Sequence, residues 1–220
     1  MYEAVIFDFD GVIVNSEPLH YQACCAVFQK IGIAISHEEY MQKYVGLSDK
    51  ELFPHVFQEK QYHFSADEIH AFIQEKIKHY TDIISNITQF PVITGLENFI
   101  DHLVKQNKML AICSGSTKEE IASVLKKWNQ HHLKDHFKTM VTSEDVIHGK
   151  PSPEGYLLTA KRLNIPTQHC LVIEDSPFGI TAAKNAGMFV VALLTSHSRQ
   201  VLKDADLIVN NFDELFLRQS

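Results

Sequence analysis

Two carboxylates, Asp8 and Asp10, stand two residues apart after the short apolar run of residues 4–7, and Gly11 follows them. In an extended chain, alternate side chains point to the same side, so this pair can face one site. Repulsion between neighbouring carboxylates raises the pKa of one and leaves the other ionised, which suits a nucleophile and a general acid. Taken alone, such a pair more often marks a strand that ends in a polar turn.

A second acidic pair, Glu174 and Asp175, follows the apolar residues 171–173. Adjacent acids at the end of a buried strand are costly unless a cation lies between them. Oxygen ligands are those that Mg²⁺ prefers in proteins. This pair therefore predicts a Mg²⁺ site.

A third segment carries hydroxyl groups after an apolar run. Ser114, Gly115 and Ser116 follow residues 110–113 and open a predicted capping box that ends at Glu119. Strand-end hydroxyls and free amides at a helix start form a natural anion site. Taken alone, this segment is better explained as a plain helix N-cap.

A single lysine, Lys150, is held between Gly149 and Pro151 in what the sequence predicts to be a rigid loop. Most lysines are solvated surface charges, and this is the plainer interpretation here. Only its occurrence between the hydroxyl segment and the second acidic pair makes it a candidate ligand for an anion.

Short apolar runs alternate with helical patterns along the rest of the chain. The candidate strands are Ala4–Asp8, Met109–Cys113, Lys138–Thr142, Cys170–Glu174, Phe189–Leu193 and Leu207–Val209. These runs are continuously apolar, as expected for strands covered on both faces. One intervening helix is marked by Ile121, Val124, Leu125 and Trp128. The alternation predicts an α/β fold, a Rossmann-like doubly wound parallel sheet, whose ligands bind beyond the carboxyl ends of the strands.

Residues 16–90 interrupt this alternation with successive helical patterns. Capping boxes are predicted at Ser36–Glu39 and Ser65–Glu68, and helical spacing of apolar residues continues after the second. The interruption predicts an inserted helical cap over the strand ends. The α/β core then comprises residues 1–15 and 91–220.

Charge and cysteine usage restrict the function classes further. A net charge of −7 argues against non-specific nucleic-acid binding, which needs a basic surface. No apolar run approaches the roughly 20 residues that span a bilayer, and the N-terminus resembles no signal peptide. The four cysteines show no metal or disulfide spacing and predict a reducing compartment, so we expect a soluble, cytoplasmic protein.

The four segments, in this order, resemble the signature motifs of the haloacid dehalogenase superfamily. These are an aspartate pair after the first strand, a serine or threonine after the second, a loop lysine and a further acidic pair. The inserted helices point to the β-phosphoglucomutase-like branch. The segments that carry this second resemblance are Asp8–Val12, Asn15–His20, Gly149–Pro153 and Glu174–Gly179.

The resemblance implies a role for each of these residues. Asp8 would attack phosphorus and form an aspartyl phosphate, and Asp10 would protonate the leaving oxygen and then deprotonate water. Mg²⁺ would bind Asp8, Asp175 and the backbone carbonyl of Asp10, with Glu174 holding it directly or through water. The transferring phosphoryl group would be bound by Ser114, Gly115, Ser116 and Lys150.

The resemblance also places parts of the cap near the substrate. Glu17 and His20 lie where the chain enters the cap, and His20 would bond to Asp10 or to the substrate. Gly46 begins a run that resembles the substrate-contacting cap loop, but Asp49 replaces the arginine with which the mutase grips a second phosphate. An acid there would repel that phosphate, and neither Lys50 nor Lys76 offers the fork of an arginine.

The sequence therefore predicts a Mg²⁺-dependent phosphatase that hydrolyses a small phosphorylated metabolite, such as a sugar or polyol phosphate. The alternative is a sugar phosphomutase of the β-phosphoglucomutase type. A phospho-ligand sensor on an inactive fold is disfavoured, because all four motifs keep their charged residues. The identity of the metabolite and the oligomeric state stay open.

Overall fold

The structure is a computed structural model that describes residues 2–88, 91–127 and 133–217. Its centre is a parallel sheet of six strands in the order β3-β2-β1-β4-β5-β6. The strands are β1 (Ala4–Phe7), β2 (Met109–Cys113), β3 (Phe137–Val141), β4 (Cys170–Glu174), β5 (Phe189–Leu193) and β6 (Leu207–Val209). The predicted α/β class and parallel sheet are confirmed. Two strands differ in their bounds, since β1 ends before Asp8 and β3 begins and ends one residue early.

Five helices of the described residues are interspersed with strands β2–β6 along the chain. They are α5 (Leu96–Lys105), α6 (Lys118–Lys127), α7 (Glu154–Leu163), α8 (Pro177–Asn185) and α9 (Phe212–Leu217), with short 3-10 turns at Leu133–His136 and Thr167–His169. Ile121 and Val124 of α6 are buried as the apolar spacing predicts. Trp128, which the prediction placed on the same face, lies outside the described residues.

Alternate side chains of the central strands enter two apolar layers. Val5 and Phe7 pack in one layer with residues of α5, α6 and α9. Ala4 and Ile6 pack in the other layer with residues of α7 and α8. Because both faces are covered, the strands are apolar throughout and not at alternate positions.

Four helices lie between β1 and α5 in the described chain. They are α1 (Glu17–Lys30), α2 (His37–Lys43), α3 (Asp49–Glu59) and α4 (Ala66–Asn86). Both predicted caps begin helices, with Ser36 accepting from Glu39 N at 3.1 Å and Ser65 forming a reciprocal box with Glu68. The helices have an apolar cluster of their own, while Tyr80 and Ile84 join the layer beneath them. Residues 89 and 90 are outside the described residues.

Candidate active site

The carboxyl ends of three neighbouring strands bring the sequence motifs to one edge of the sheet. Phe7 of β1 pairs with Ile112 of β2 and with Ile173 of β4, so the residues that follow these strands emerge together. The chain stays in register for one residue more, since Asp8 N donates to Ile173 O at 2.9 Å. The change of strand order next to β1 creates the crevice in which α/β proteins bind ligands.

Lys150 bridges two of these motifs. Its Nζ lies 2.7 Å from Asp8 Oδ1 and 2.6 Å from Glu174 Oε1, and the residue is buried. Burial lowers the pKa of a lysine, but the charges of Asp8 and Glu174 outweigh burial and raise the pKa of Lys150 above its ordinary value. Lys150 is therefore a charged hydrogen-bond donor held in place at the carboxyl edge of the sheet.

Glu174 is the most fully bonded carboxylate of the site. Besides Lys150, it accepts from Tyr156 Oη at 2.8 Å, from the amides of Asp175 and Ser176 at 2.9 and 3.0 Å, and from Ser176 Oγ at 3.1 Å. Burial raises the pKa of a carboxyl, yet Lys150 and these donors hold the pKa of Glu174 below its usual range. Nothing in the sequence singled out Tyr156 except its place on the apolar face of a helix.

Gly179 allows α8 to approach Glu174 closely. A Cβ at position 179 would lie 1.6 Å from Glu174 Oε1, so Gly179→Ala is expected to destabilise the protein by roughly 1–3 kcal/mol, despite the better helix propensity of alanine. The measurement is the urea unfolding midpoint. Thr181→Ala, at an exposed position of the same helix, is the matched control. Equal midpoints for the two variants would contradict the close packing.

Asp8, Glu174 and Asp175 form a group that can hold a cation. One carboxylate oxygen from each lies within 4.8 Å of the others, and all three residues are buried. Burial and the neighbouring carboxylates raise the pKa of both Asp8 and Asp175 well above the ordinary value. Such repulsion is what a hard divalent cation with oxygen ligands relieves, so the donor set fits the predicted metal.

The side chain of Asp10 points away from this acidic group. Its carboxylate accepts from His20 Nε2 at 2.9 Å, from Ser116 Oγ at 2.6 Å and from Ser16 Oγ. Burial raises the pKa of a carboxyl, but His20 and the two hydroxyls outweigh burial and hold the pKa of Asp10 below its usual value. The pKa values of Asp8 and Asp10 are shifted in opposite directions, that of Asp8 upwards and that of Asp10 downwards.

Ser116 is bonded to Asp10, and the predicted capping box at Ser116–Glu119 is wrong. The box lies one residue later. Thr117 N and Oγ1 donate to Glu120 Oε2 at 2.9 and 2.8 Å, and Glu120 N donates back to Thr117 Oγ1 at 3.3 Å. Either register fits the sequence, because Glu119 and Glu120 are adjacent; contact with Asp10 from another strand decides between them.

His20 connects Asp10 to a buried lysine. Lys76 Nζ lies 2.9 Å from His20 Nδ1, and an ammonium has only donors, so Nδ1 is the acceptor. The imidazole proton then resides on Nε2, which donates to Asp10. The ring stacks on Tyr80, with centroids 4.1 Å apart.

The remaining predicted residues line the same cavity as Asp8. Gly46 has φ +87°, and a Cβ there would lie 2.6 Å from Ser176 Oγ, so the loop between α2 and α3 touches the start of α8 at this point. A Cβ added at Gly115 would lie 3.6 Å from Ser48 N, so Gly115 lies close to the start of α3. Burial, reinforced by the charge of Asp10, raises the pKa of Glu17 to about 7.

All the predicted site residues thus meet at one place. Ser114 is the least closely connected of them: it lines the neighbouring cavity with Lys150, and its Oγ lies 3.5 Å from Asp10 Oδ2.

The cavity lined by Asp8, Gly46, Lys76 and Asp175 measures about 40 Å³. Lys50 of α3 donates to Ser143 O and Lys76 of α4 donates to Glu120, so both helices contact the rest of the chain beside this cavity.

The fold and the site together define a class, an α/β enzyme with an acidic, cation-ready centre at the carboxyl edge of a parallel sheet. Residues 5–193 match the haloacid dehalogenase-like hydrolase family. The chain belongs to this family, and it is a phosphatase-type enzyme related to β-phosphoglucomutase.

Individual relatives span nearly the whole chain. Validoxylamine A 7'-phosphate phosphatase of Streptomyces hygroscopicus subsp. limoneus is 26% identical, over 98% of this chain and 96% of the relative. Beta-phosphoglucomutase of Bacillus subtilis is 27% identical, over 98% and 92%. A crystal structure of beta-phosphoglucomutase from Clostridium difficile superposes with a TM-score of 0.87 at 31% identity, over 100% and 96%.

No helix within residues 2–88, 91–127 and 133–217 combines the length and apolar character that crossing a membrane requires.

Proposed function

We propose that this enzyme is a Mg²⁺-dependent phosphatase that hydrolyses a small phosphorylated metabolite, such as a sugar or polyol phosphate, through a phosphorylated Asp8. The observation that carries the proposal is the position of Asp8, which lies beside the cation Lys150 and within a group of three acids that can hold a metal. Its relatives named as a phosphatase of a phosphorylated compound and as a phosphoglucomutase support the substrate class.

Asp8 and Asp10 divide the chemistry. A carboxylate oxygen of Asp8 forms a bond to phosphorus as the bond to the leaving oxygen breaks, and Asp10 transfers its proton to that oxygen. Asp10 then takes a proton from the water that attacks the aspartyl phosphate, which releases inorganic phosphate and restores Asp8. The second step starts from ionised Asp10, and the proton taken from water returns Asp10 to the protonated form that the first step needs. By contrast, its contacts with His20, Ser116 and Ser16 favour the ionised form.

Lys150 and Ser114 bind the phosphoryl oxygens, and their fixed positions stabilise the charge that spreads over them. Asp8, Asp175 and the backbone carbonyl of Asp10 would hold Mg²⁺. The metal offsets the repulsion between these carboxylates and the incoming phosphate. Since the oxygens of Glu174 already accept from Lys150, Tyr156 and backbone amides, we assign Glu174 to an indirect role, through water.

Residues 16–90 are proposed to act as a cap over a core formed by residues 1–15 and 91–220. The cap contacts the core through Lys50, which donates to Ser143 O at 2.8 Å, and through the ion pair of Lys76 with Glu120. Opening of the cap to admit substrate would break these contacts. The cytoplasmic location inferred from cysteine usage stays a prediction.

Metal removal tests the proposal directly. Excess EDTA is expected to abolish phosphate release from p-nitrophenyl phosphate, and Mg²⁺ added beyond the chelator is expected to restore it, because the carboxylates otherwise repel the substrate. The control is the same chelator loaded with Mg²⁺ before addition. Turnover that survives complete chelation would refute the metal assignment.

Mutase activity is the alternative, and the relationship to β-phosphoglucomutase favours it. Glucose phosphates incubated with the enzyme, with and without a bisphosphate primer, are expected to yield glucose and inorganic phosphate. Product analysis by ³¹P NMR separates the two reactions. Interconversion of the phosphate isomers at catalytic rates would replace the phosphatase assignment with the mutase one.

A further inference from the structure

The only lysine that the described cap directs into the cavity beside Asp10 has all its hydrogens engaged. Lys76 Nζ lies 2.9 Å from Asp49 Oδ2, 2.7 Å from Glu120 Oε1 and 2.9 Å from His20 Nδ1. An ammonium has three donors, and these three acceptors use them all. The side chain of Lys76 is 3% exposed, so solvent does not compete for it.

The cavity wall beside Asp10 is where the leaving group of the substrate would lie, and we call it the leaving-group side. The contacts of Lys76 leave this side negatively charged. Asp49 and Glu120 both line the cavity, and together they exceed the single charge of Lys76. His20 adds no net positive charge to this wall, because a positive charge on its ring would be balanced by the carboxylate of Asp10, to which its Nε2 donates. Glu17, a third acid on the same wall, is buried there.

The other lysine of the cap loop serves a different place. Lys50 lines the neighbouring cavity on the far side of Gly115 and donates to the backbone of Ser143. Lys150 is committed to the phosphate end, between Asp8 and Glu174. Among the described residues, no lysine or arginine other than Lys76 faces the leaving group in this cavity.

A second anionic group on the substrate would meet this wall at a cost. To pair with it, Lys76 would have to leave Asp49 and Glu120, and two carboxylates with side chains 12% and 2% exposed would then face another anion. Breaking a buried ion pair leaves an uncompensated charge, which is strongly unfavourable. An uncharged or cationic group meets no such penalty.

We infer that Asp49 and Glu120 are specificity-determining residues that exclude a second anionic group from the leaving-group side and favour a cationic one. The substrate class is thereby narrowed to monophosphates of neutral or amine-bearing polyhydroxy compounds, an inference that rests on the proposed phosphatase activity. Glu120 comes from the core and Asp49 from the cap, so both sides of the closed cavity contribute to the selection.

The test uses three sugar phosphates that share one ring and one phosphate position. They are α-D-glucosamine 1-phosphate, α-D-glucose 1-phosphate and α-D-glucuronic acid 1-phosphate. Specificity constants for the full-length enzyme with Mg²⁺ are measured in competition with p-nitrophenyl phosphate, so that a compound that binds without turnover is also scored. The expected order is amine, then hydroxyl, then carboxylate, with the carboxylate disfavoured relative to the hydroxyl by roughly ten- to hundredfold.

Variants then assign the discrimination to the two acids. Asp49→Asn and Glu120→Gln are expected to reduce the hydroxyl-to-carboxylate ratio by roughly tenfold each. Glutamine at 120 keeps an acceptor for Thr117, so the helix cap persists. Glu119→Gln is the matched control, because it removes the same charge from an exposed neighbour and should leave the ratio unchanged.

The outcomes separate the two proposals. Equal specificity constants for the three sugar phosphates, or no inhibition by any of them, would overturn the inference. Turnover of p-nitrophenyl phosphate would in that case still support the proposed phosphatase activity. An unchanged ratio in both acid variants would also overturn it, and Asp49→Asn decides if Glu120→Gln fails to fold. Absence of phosphate release from every compound would instead defeat the proposed function.

Discussion

Asp8→Asn is expected to lower phosphate release by roughly 10⁴–10⁶-fold, the scale of loss seen when a nucleophile or its activating partner is removed. The amide of asparagine cannot attack phosphorus as a carboxylate does. Lys150 keeps Glu174 as a partner at 2.6 Å, so we expect the variant to fold. The measurement is the steady-state rate with p-nitrophenyl phosphate and Mg²⁺.

Two observations complete this experiment. Asp204→Asn removes one negative charge at an exposed position and should retain the rate of the unmodified enzyme. Mass spectrometry of acid-quenched turnover mixtures should find one added phosphoryl group on the peptide that contains Asp8, and should not find it in Asp8→Asn. A variant that remains active, or a phosphoryl group on another residue, would remove Asp8 from the nucleophilic role.

Asp10→Ala is expected to reduce the turnover number by roughly 10²–10⁴-fold, with a smaller effect on substrate binding. The proposed acid protonates the leaving oxygen in the first step, so the loss in kcat/KM, which that step sets, should be greater for a sugar phosphate than for p-nitrophenyl phosphate, whose leaving group departs with little protonation. The same carboxylate serves as the base for the second step, and its removal should let the phosphorylated enzyme accumulate.

The comparison of the two substrates is the informative readout. Alanine at 10 also frees Ser16, Ser116 and His20, so a purely structural disturbance would lower both rates by a similar factor. Near-normal turnover of the sugar phosphate would exclude Asp10 from acid–base chemistry. Equal losses with both substrates would restrict it to the second step or to positioning.

The hydrogen bonds around Lys76 connect the proposed acid–base residue Asp10 with the two acids that we infer select the substrate. Lys76 holds His20 on one side and two carboxylates on the other, and His20 holds Asp10. If α4 moves as part of the proposed cap, opening would separate Lys76 from Glu120 of α6. In the proposed closed state, Lys76 and Glu120 would together complete the cavity wall beside Asp10, where we infer that the substrate is selected.

The sequence was sufficient to predict the sheet and the residues at its edge. Strands buried on both faces must be continuously apolar, and parallel strands must end at one edge, so Asp8, Ser114 and Glu174 were expected to meet. The partners of Lys76, by comparison, were not predicted. Glu120 carried no signal beyond a helix cap, and its Oε1 reaches Lys76 only because α4 packs on α6.

What the sequence determined by itself was therefore the local order of apolar and polar residues, from which strands, helices and strand-end motifs follow. Which carboxylate pairs with which cation was decided only by the tertiary structure, as the choice of Thr117 over Ser116 for the helix cap illustrates. The physical reason is distance. Secondary structure depends on neighbours a few residues apart, whereas Asp10, Lys76 and Glu120 interact through contacts of about 3 Å that exist once the cap and the sheet have packed.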